Sequence, residues 1–255
     1  MGSALLKGWL DRGVKAIAVV EPKPSAHLRR LAKAKKIALF AAPSAVRRKP
    51  SVCVVAIKPQ VLKDEAATLA DFAQGGALMI SIAAGTSIAA LAQAWGRKAR
   101  IIRAMPNIPG AIGQGISGIY AAKGVTAADK KRAASLLAAL GETVWVNKEA
   151  LIDSVTAVSG SGPAYLFLMA EALTEAGIAE GLSRGQAEKF ARATVSGAGA
   201  LLAADKSPAS MLREAVTSPG GTTAAALYVL MAEDGLMALM KRAVRAAHRR
   251  AEELR

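Results

Sequence analysis

The sequence predicts an α/β domain over residues 1–148, followed by an all-helical domain over residues 149–255. Up to about residue 148, short apolar runs alternate with amphipathic segments, which is typical of a parallel sheet covered by helices on both faces. Beyond that point strand-like runs disappear, and apolar residues recur at helical spacing in alanine-rich stretches. We therefore place a domain boundary near residue 148.

The elements of the first domain are predicted to alternate along the chain. Apolar runs predict strands over 14–20, 51–57, 77–82 and 100–104, and amphipathic spacing predicts helices over 3–12, 25–36, 61–74 and 87–95. Two further extended segments, 115–121 and 142–146, flank a helix over about 127–140. That helix is predicted to stop at Gly141, because glycine is favoured just past a helix end.

The second domain is predicted to consist of helices separated by local stop and start signals. Ser183 and Gln186 form a capping-box pattern, Ser207-Pro208 opens another helix, and Asp234-Gly235 divides the last helical stretch. These alanine-rich helices carry apolar residues on more than one face, which predicts burial against a second subunit.

Composition restricts the class of protein. The formal net charge is +15, and residues 1–50 hold twelve Lys and Arg against Asp11 and Glu21, so nucleic-acid binding has to be considered. Aromatic residues are only 4% of the chain and no nucleic-acid motif is present, so a solvated basic face that attracts phosphate groups is the preferred interpretation. We expect no nucleic-acid partner, and His27 and His248 lie too far apart in the sequence to suggest a metal site.

The longest uncharged stretch and the only cysteine both favour a cytoplasmic location. Residues 72–96 carry no charge, but glycines at 75, 76 and 85 divide them into a strand, a loop and a helix, so no membrane span is expected. Cys53 lies in an apolar strand-like run, which predicts an inert buried thiol. The absence of a cysteine framework and of a secretory signal favours a reducing compartment.

The most informative segment is Ser218-Pro219-Gly220-Gly221-Thr222-Thr223, which precedes an apolar helical run. A Pro-Gly-Gly turn before a helix directs hydroxyls and free backbone N–H groups to one place, and such helix starts bind anions. The alternative is an ordinary capped helix start. Ser159-Gly160-Ser161-Gly162-Pro163 repeats the design, so two helix starts are predicted to converge on a small anionic ligand.

Taken together, these two motifs resemble those of pyrroline-5-carboxylate reductase, which makes proline by reducing a cyclic imine. Met105-Pro106-Asn107 and Ala56-Ile57-Lys58-Pro59 also resemble that family, in the same order, and the resemblance covers nearly the whole chain. It implies an interlocked dimer of the helical domains, or a higher assembly of such dimers.

The resemblance also implies roles for individual residues. Thr223 is the candidate catalytic donor of a hydrogen bond to the imine nitrogen of a small-molecule substrate. The substrate carboxylate would bind in a site that consists of Ser218, Gly220, Gly221, Thr222 and Thr223.

A nicotinamide cofactor would lie at the carboxyl edge of the sheet. The candidate cofactor-binding residues are Gly2, Glu21, Ala56, Ile57, Lys58, Pro59, Ala83, Ala84, Gly85 and Asn107. Glu21, at the end of the second strand, favours NAD(H), but the nearby Lys23, Arg29 and Arg30 favour the 2′-phosphate of NADP(H). NADP(H) is the expected cofactor and NAD(H) the alternative.

The chain begins in the middle of a nucleotide-binding motif. A Rossmann-like domain opens with a strand and a glycine-rich turn, whereas Met1-Gly2-Ser3 resembles only the end of that motif, with Gly2 as its third glycine. We therefore expect that the first strand and the two glycines that hold the pyrophosphate belong upstream of Met1. Without them, two sheet edges would be uncovered.

Two other functions compete with imine reduction. A related two-domain reductase acting on hydroxy acids would use a lysine of its helical domain as the acid, and the segment from Ser218 to Thr223 argues against it. A non-catalytic helical dimer is the second alternative, and the incomplete glycine turn is the feature that favours it.

Overall fold

A computed structural model describes residues 1–255, which form two compact units. The first unit comprises Met1–Gly160 and His248–Arg255, and the second comprises Ser161–Ala247. The strands of the first unit are β1 Ala18–Val20, β2 Ala38–Phe40, β3 Val52–Val55, β4 Leu78–Ser81, β5 Arg100–Pro106, β6 Gly115–Ala121 and β7 Gly141–Trp145. Its helices are α1 Gly2–Asp11, α2 Ala26–Lys33, α3 Pro59–Glu65, α4 Ala70–Gln74, α5 Ile88–Trp95, α6 Ala127–Leu137 and α7 Leu151–Val155.

The second unit is entirely helical. Its helices are α8 Gly162–Ala179, α9 Arg184–Ala204, α10 Ala209–Ala215, α11 Thr222–Leu230 and α12 Leu236–Glu253, the last of which ends in the first unit. The capping box at Ser183 and Gln186 is confirmed, with the Ser183 backbone N–H donating to Gln186 Oε1 at 3.0 Å. The predicted interruption at Asp234-Gly235 is also confirmed, because α11 ends at Leu230 and α12 begins at Leu236.

The strands of the first unit form two sheets. β1 pairs with β2 in parallel, and β3 to β7 form a five-stranded sheet in chain order. No ladder joins β1 to β3, so both are edge strands. The expectation of an entirely parallel sheet is wrong for β5 and β6, which pair antiparallel. The short connection through Ile108–Ile112 returns the chain directly beside β5, and a connection of that length suits an antiparallel pair.

The larger sheet is buried on both faces, as its apolar strands predict. Along β4, Leu78 and Ile80 pack into one apolar cluster with Leu5 of α1, whereas Met79 packs into a second cluster with Trp95 of α5. Alternate residues of a strand point to opposite faces, so this separation is the direct result of the strand period. Cys53 packs against the second cluster, and burial raises the pKa of its thiol to about 12, which keeps it protonated.

Two predicted elements differ from the structure, and one strand was not predicted. The strand predicted over 14–20 is confined to β1, since Ala16 has a φ of +57°, a left-handed conformation that a strand cannot contain. The helix predicted over 61–74 is divided into α3, a 3₁₀ turn over Ala66–Leu69 and α4. At the break, the hydroxyl of Thr68 donates to the carbonyl oxygen of Glu65 at 2.7 Å, a local bond that competes with helical hydrogen bonds. β2 was not predicted, because three residues give too short a pattern.

The second unit has almost no core of its own. Between Ser161 and Ala247 the only buried apolar side chains are Ala187 and Ala191. Many large apolar side chains are exposed instead, including Leu166, Phe167, Leu168, Phe190, Leu201, Leu202, Tyr228 and Val229. Exposed apolar surface of this extent is typical of an interface with another chain. None of the helices combines the length and the apolar content that crossing a lipid bilayer requires.

Candidate functional site

The segment from Ser218 to Thr223 forms a tight turn that ends at the first residue of α11. The backbone N–H of Gly221 donates to the carbonyl oxygen of Ser218 at 3.1 Å, and Gly220 has a φ of +69°. A β-carbon on Gly221 would collide with Ser218 Oγ. Each of the two glycines is therefore required, Gly220 for its left-handed conformation and Gly221 for the close approach of Ser218.

The start of α11 carries hydrogen-bond donors that the chain itself does not use. Gly221 is the N-cap residue, and no side chain caps this helix. Thr222 and Thr223 are the first two residues of the helix, so neither of them is its N-cap residue. Because the first backbone N–H groups of a helix have no partner within it, this turn presents N–H and O–H donors to an acceptor from outside.

The second glycine-serine motif also precedes a helix. α8 begins at Gly162 with Pro163 in its first turn, close to the predicted start. A π-helical turn, Thr156–Gly160, leads into it, and single π turns are frequent at functional sites. The hydroxyl of Ser159 donates to the carbonyl oxygen of Val155 at 3.1 Å, so it serves the turn itself. Ser161 caps no backbone N–H with its side chain.

The predicted cofactor residues Ala56 to Pro59 and Ala83 to Gly85 follow neighbouring strands. β3 and β4 are parallel with Val55 opposite Ser81, and the Ile82 N–H donates to the carbonyl oxygen of Val55 at 3.1 Å. Both segments therefore leave the sheet at its carboxyl edge, where ligands bind in open α/β sheets.

Lys58 and Gly2 are placed at this edge by two helices. Lys58 is the exposed N-cap residue of α3, with Pro59 at its first position, and its ammonium group makes no ion pair within the chain. Gly2 begins α1, and a β-carbon there would lie 3.3 Å from the Ala56 β-carbon. Gly2 thus packs closely against Ala56 at the end of β3, and Lys58 has no charged partner within the chain.

The loop from Ala83 to Ser87, which we call the β4–α5 loop, is anchored at its beginning and covered at Gly85. The Ala83 N–H donates to Ser81 Oγ at 3.3 Å. Gly85 has a φ of +69°, and a β-carbon there would lie 2.7 Å from the carbonyl oxygen of Leu254. The chain's own carboxy-terminal segment therefore occupies the space into which a side chain at this position would extend.

Glu21 and Asn107 both use their side chains in local hydrogen bonds. Glu21 follows β1, and its Oε1 accepts from the backbone N–H of Lys23 at 3.0 Å. Asn107 Oδ1 accepts from the Ile116 N–H at 2.9 Å, which ties the start of the connection after β5 to β6. This bond braces the loop that follows β5.

The structure groups the candidate residues by unit. All the predicted cofactor residues lie in the first unit, and all the predicted substrate residues lie in the second. Sequence reasoning missed Glu149 and Arg103, which form an ion pair of 2.7 Å beside the β4–α5 loop. The signal that was available is Arg103 itself, a charged residue between the apolar pairs Ile101-Ile102 and Ala104-Met105 of β5.

These features define a two-domain, nicotinamide-dependent oxidoreductase, with a Rossmann-like unit followed by a helical unit. Two family models match the chain in the same arrangement. Residues 1–85 match the model described as NADP oxidoreductase coenzyme F420-dependent, and residues 149–254 match the model described as pyrroline-5-carboxylate reductase dimerisation.

Similar proteins narrow the class to one family. A pyrroline-5-carboxylate reductase of Pseudomonas aeruginosa is 39% identical, over 100% of this chain and 93% of its own. One from Synechocystis is 44% identical over 80% of this chain and 74% of its own. The structure of a pyrroline-5-carboxylate reductase from Coxiella burnetii superposes with a TM-score of 0.91 at 33% identity, covering 99% of this chain and 94% of that one. The chain belongs to the pyrroline-5-carboxylate reductase family.

One related structure was solved with a bound nucleotide. The Plasmodium falciparum pyrroline carboxylate reductase with NADP bound superposes with a TM-score of 0.82 at 27% identity, covering 100% of this chain and 94% of that one.

Proposed function

We propose that this chain reduces 1-pyrroline-5-carboxylate to L-proline with NAD(P)H, the last step of proline biosynthesis. The observation that supports this proposal is the turn from Ser218 to Thr223, which leads into α11 at a helix start that no side chain caps. A substrate with one carboxylate and one imine nitrogen has two groups that such a turn can bind.

The substrate carboxylate is assigned to the start of α11. Here the free N–H groups of Thr222 and Thr223 face outward along the helix axis, and the partial positive charge of the helix dipole favours an anion. Ser218 adds a hydroxyl from the other side of the turn, and the left-handed Gly220 sets the direction of the chain.

The hydroxyl of Thr223 is assigned to the imine nitrogen. A threonine hydroxyl is a weak acid, so it acts by donating a hydrogen bond to the nitrogen or by relaying a proton from solvent to it. The hydroxyl contributes to the reaction through its position, because a donor fixed in place stabilises the charge that develops as the nitrogen becomes an amine.

The residues at the carboxyl edge of β3 and β4 suit a nicotinamide dinucleotide, which supplies a hydride when bound. Lys58 has an unpaired ammonium group that suits a phosphate or a ribose hydroxyl. Ala83 and Ala84 are small and follow β4, the strand next to the one that leads to Lys58. A flat ring can therefore approach the backbone there.

We further propose that NADP(H) is preferred over NAD(H). The Glu21 carboxylate, which would otherwise bind a ribose 2′-hydroxyl, accepts from the Lys23 N–H, whereas Arg29 and Arg30 lie on the next helix, α2. The positive charge of these arginines suits a 2′-phosphate, and one oxygen of the Glu21 carboxylate is already engaged. A ratio of kcat/KM values for the two cofactors that favours NADH would contradict this preference.

The working assembly is proposed to be a homodimer or a higher homo-oligomer of dimers. We keep the proposed boundary between the cofactor domain and the dimerisation domain at residues 148 and 149. The segment that matches the dimerisation model begins at residue 149. A cytoplasmic location remains a prediction, based on the single cysteine, Cys53, which cannot form a disulfide within the chain.

The test is to follow oxidation of NADPH and NADH with pyrroline-5-carboxylate and with keto acids and, in parallel, reduction of NADP⁺ and NAD⁺ with the corresponding hydroxy acids. We expect activity with the cyclic imine alone. Activity with the hydroxy or keto acids would favour the related two-domain reductase, and binding of neither cofactor would favour the non-catalytic dimer.

A further inference from the structure

Glu149 connects the β4–α5 loop to the sheet. Its Oε1 atom accepts a hydrogen bond from the backbone N–H of Ile88 at 2.7 Å, and the same atom lies 2.7 Å from Arg103 Nη1. Ile88 is the first residue of α5, directly after the β4–α5 loop, and Arg103 belongs to β5. One carboxylate oxygen thus joins a helix start to a central strand.

The carboxylate occupies the position at which an external anion would otherwise bind to α5. Ser87 Oγ accepts from the Ala90 N–H at 3.2 Å, so Glu149 and Ser87 together satisfy two of the free donors of this helix start. The negative charge of Glu149 also lies at the positive end of the helix dipole. The start of α5 is therefore filled from within the chain, unlike the start of α11.

Arg103 makes this arrangement dependent on charge. Its side chain is only 3% exposed, and its partners on the neighbouring strands are Ser81 and Tyr120, neither of which carries a charge at neutral pH. A buried pair of this kind contributes little net stability, because removing two charges from water offsets most of their attraction. The pair is nevertheless sensitive to substitution, since loss of either partner leaves the other charge unpaired.

The β4–α5 loop is consequently held at three points. Ser81 Oγ binds the N–H of Ala83 at its beginning, Leu254 covers Gly85 in its middle, and Glu149 binds Ile88 at its end. A short loop with small residues and three anchors has little freedom to move, which is what a surface that receives a flat ring requires.

We propose that Glu149 is a positioning residue that fixes the β4–α5 loop for the nicotinamide cofactor, with Arg103 as its counter-charge. The inference rests on the proposed function, because that function assigns the loop to the cofactor. Glu149 is not assigned any contact with the substrate or with the reacting atoms.

The experiment compares Glu149→Ala and Glu149→Gln with the unsubstituted chain. The alanine variant removes the acceptor of the Ile88 N–H, whereas the glutamine variant keeps an amide oxygen there and removes only the charge. Glu142→Gln, at an exposed position on β7, is the matched control. Hydrogen exchange of peptides over residues 83–90, the Kd of NADPH by fluorescence, and the KM of pyrroline-5-carboxylate are measured for each.

In Glu149→Ala we expect the Ile88 amide to exchange about tenfold faster and the Kd of NADPH to rise about tenfold, since a hydrogen bond to a charged group is lost. The KM of pyrroline-5-carboxylate should change by less than about twofold, and Glu149→Gln should be intermediate in exchange. Unchanged exchange and unchanged Kd in both variants would overturn the inference, as would equal rises in the Kd of NADPH and the KM of the imine.

A failure of the proposed function would be recognised separately. If the unsubstituted chain neither binds NADPH nor reduces the imine, the proposed function fails. Exchange over residues 83–90 then decides by itself whether Glu149 fixes the loop. A Glu149→Ala variant that unfolds would leave Glu149→Gln as the deciding variant, with the same expected directions.

Discussion

At the scale of single residues, the role proposed for the turn from Ser218 to Thr223 depends on side chains that do not cap the helix that follows. Threonine at the start of a helix commonly caps it, yet Gly221 holds the cap position of α11 and no side chain accepts from the helix start. The Thr223 hydroxyl is therefore available for the substrate.

Replacing Thr223 by alanine tests its assigned role. We expect Thr223→Ala to lower kcat by about 10²-fold or more, because a positioned donor at the imine nitrogen is lost, while the Kd of NADPH stays unchanged. Thr194→Ala, at an exposed position of α9, is the control and should leave both values unchanged. An unchanged kcat in Thr223→Ala would remove Thr223 from the mechanism.

The shape of the turn can be tested at Gly221. A β-carbon there collides with Ser218 Oγ, so Gly221→Ala should displace the free N–H groups and raise the KM of pyrroline-5-carboxylate about tenfold. Gly185→Ala, where a β-carbon meets nothing within 4 Å, should be neutral or stabilise the protein by about 0.5–1 kcal/mol. A KM for Gly221→Ala equal to that of the unsubstituted chain would contradict the assigned carboxylate site.

Residue roles were predictable where they depend on local geometry. The turn at Gly220 and Gly221 is encoded by its own residues, and the resemblance to a known family identified it. Glu149 was not predictable, because its partners Arg103 and Ile88 lie 46 and 61 residues away. Only the folded chain shows that the three meet.

At the scale of elements, helix starts and buried strands follow from short sequence patterns. The capping box at Ser183 forms as predicted, and the apolar run over 77–82 forms β4, in which every residue is buried. The pairing of strands is harder to predict from the sequence, since the antiparallel contact of β5 with β6 depends on where the connection between them returns. The division of the strands into two sheets is also a tertiary property.

The start of α6 gives a pH-dependent test of one element. Burial alone would raise the pKa of Asp129, but hydrogen bonds from Thr126 and the nearby Arg100 guanidinium outweigh it and hold this pKa below its usual value of 3.8. Because the pKa is lower in the folded state, the ionised carboxylate stabilises the fold above pH 3.8, and this contribution is lost as the pH falls through the folded-state pKa.

Asp129→Asn should therefore lower the free energy of unfolding by about 1–3 kcal/mol at neutral pH, since a charged cap and the partner of Arg100 are both lost. Thermal or denaturant unfolding from neutral to acid pH measures it, and the difference between the two proteins should shrink below pH 3.8. A difference that is constant down to acid pH would contradict the assignment.

At the scale of the whole molecule, the helical unit is incomplete as a single copy. Its large apolar side chains are exposed, Tyr228 by 85%, and only two alanines are buried within it. Such a unit is expected to gain stability from a partner, and the match to a dimerisation family model favours a second copy of the chain as that partner.

A charge placed on this apolar surface should dissociate the assembly. We expect Phe167→Glu to weaken association about tenfold to a hundredfold, because burial of the side chain, worth about 1.5–3 kcal/mol, is replaced by burial of a charge. Light scattering during size-exclusion chromatography measures the mass. Val61→Glu, at an exposed apolar position on α3, is the control. Equal masses for the two variants would show that the exposed face of α8 is not the interface.

The central claim is that the chain transfers a hydride from a nicotinamide cofactor to the imine carbon of pyrroline-5-carboxylate. The most direct measurement uses NADPH that carries deuterium at both positions of nicotinamide C4, followed by mass spectrometry of the product. We predict proline with one deuterium on C5, in an amount equal to the NADPH consumed. Absence of labelled proline, with either NADPH or NADH, would contradict the account.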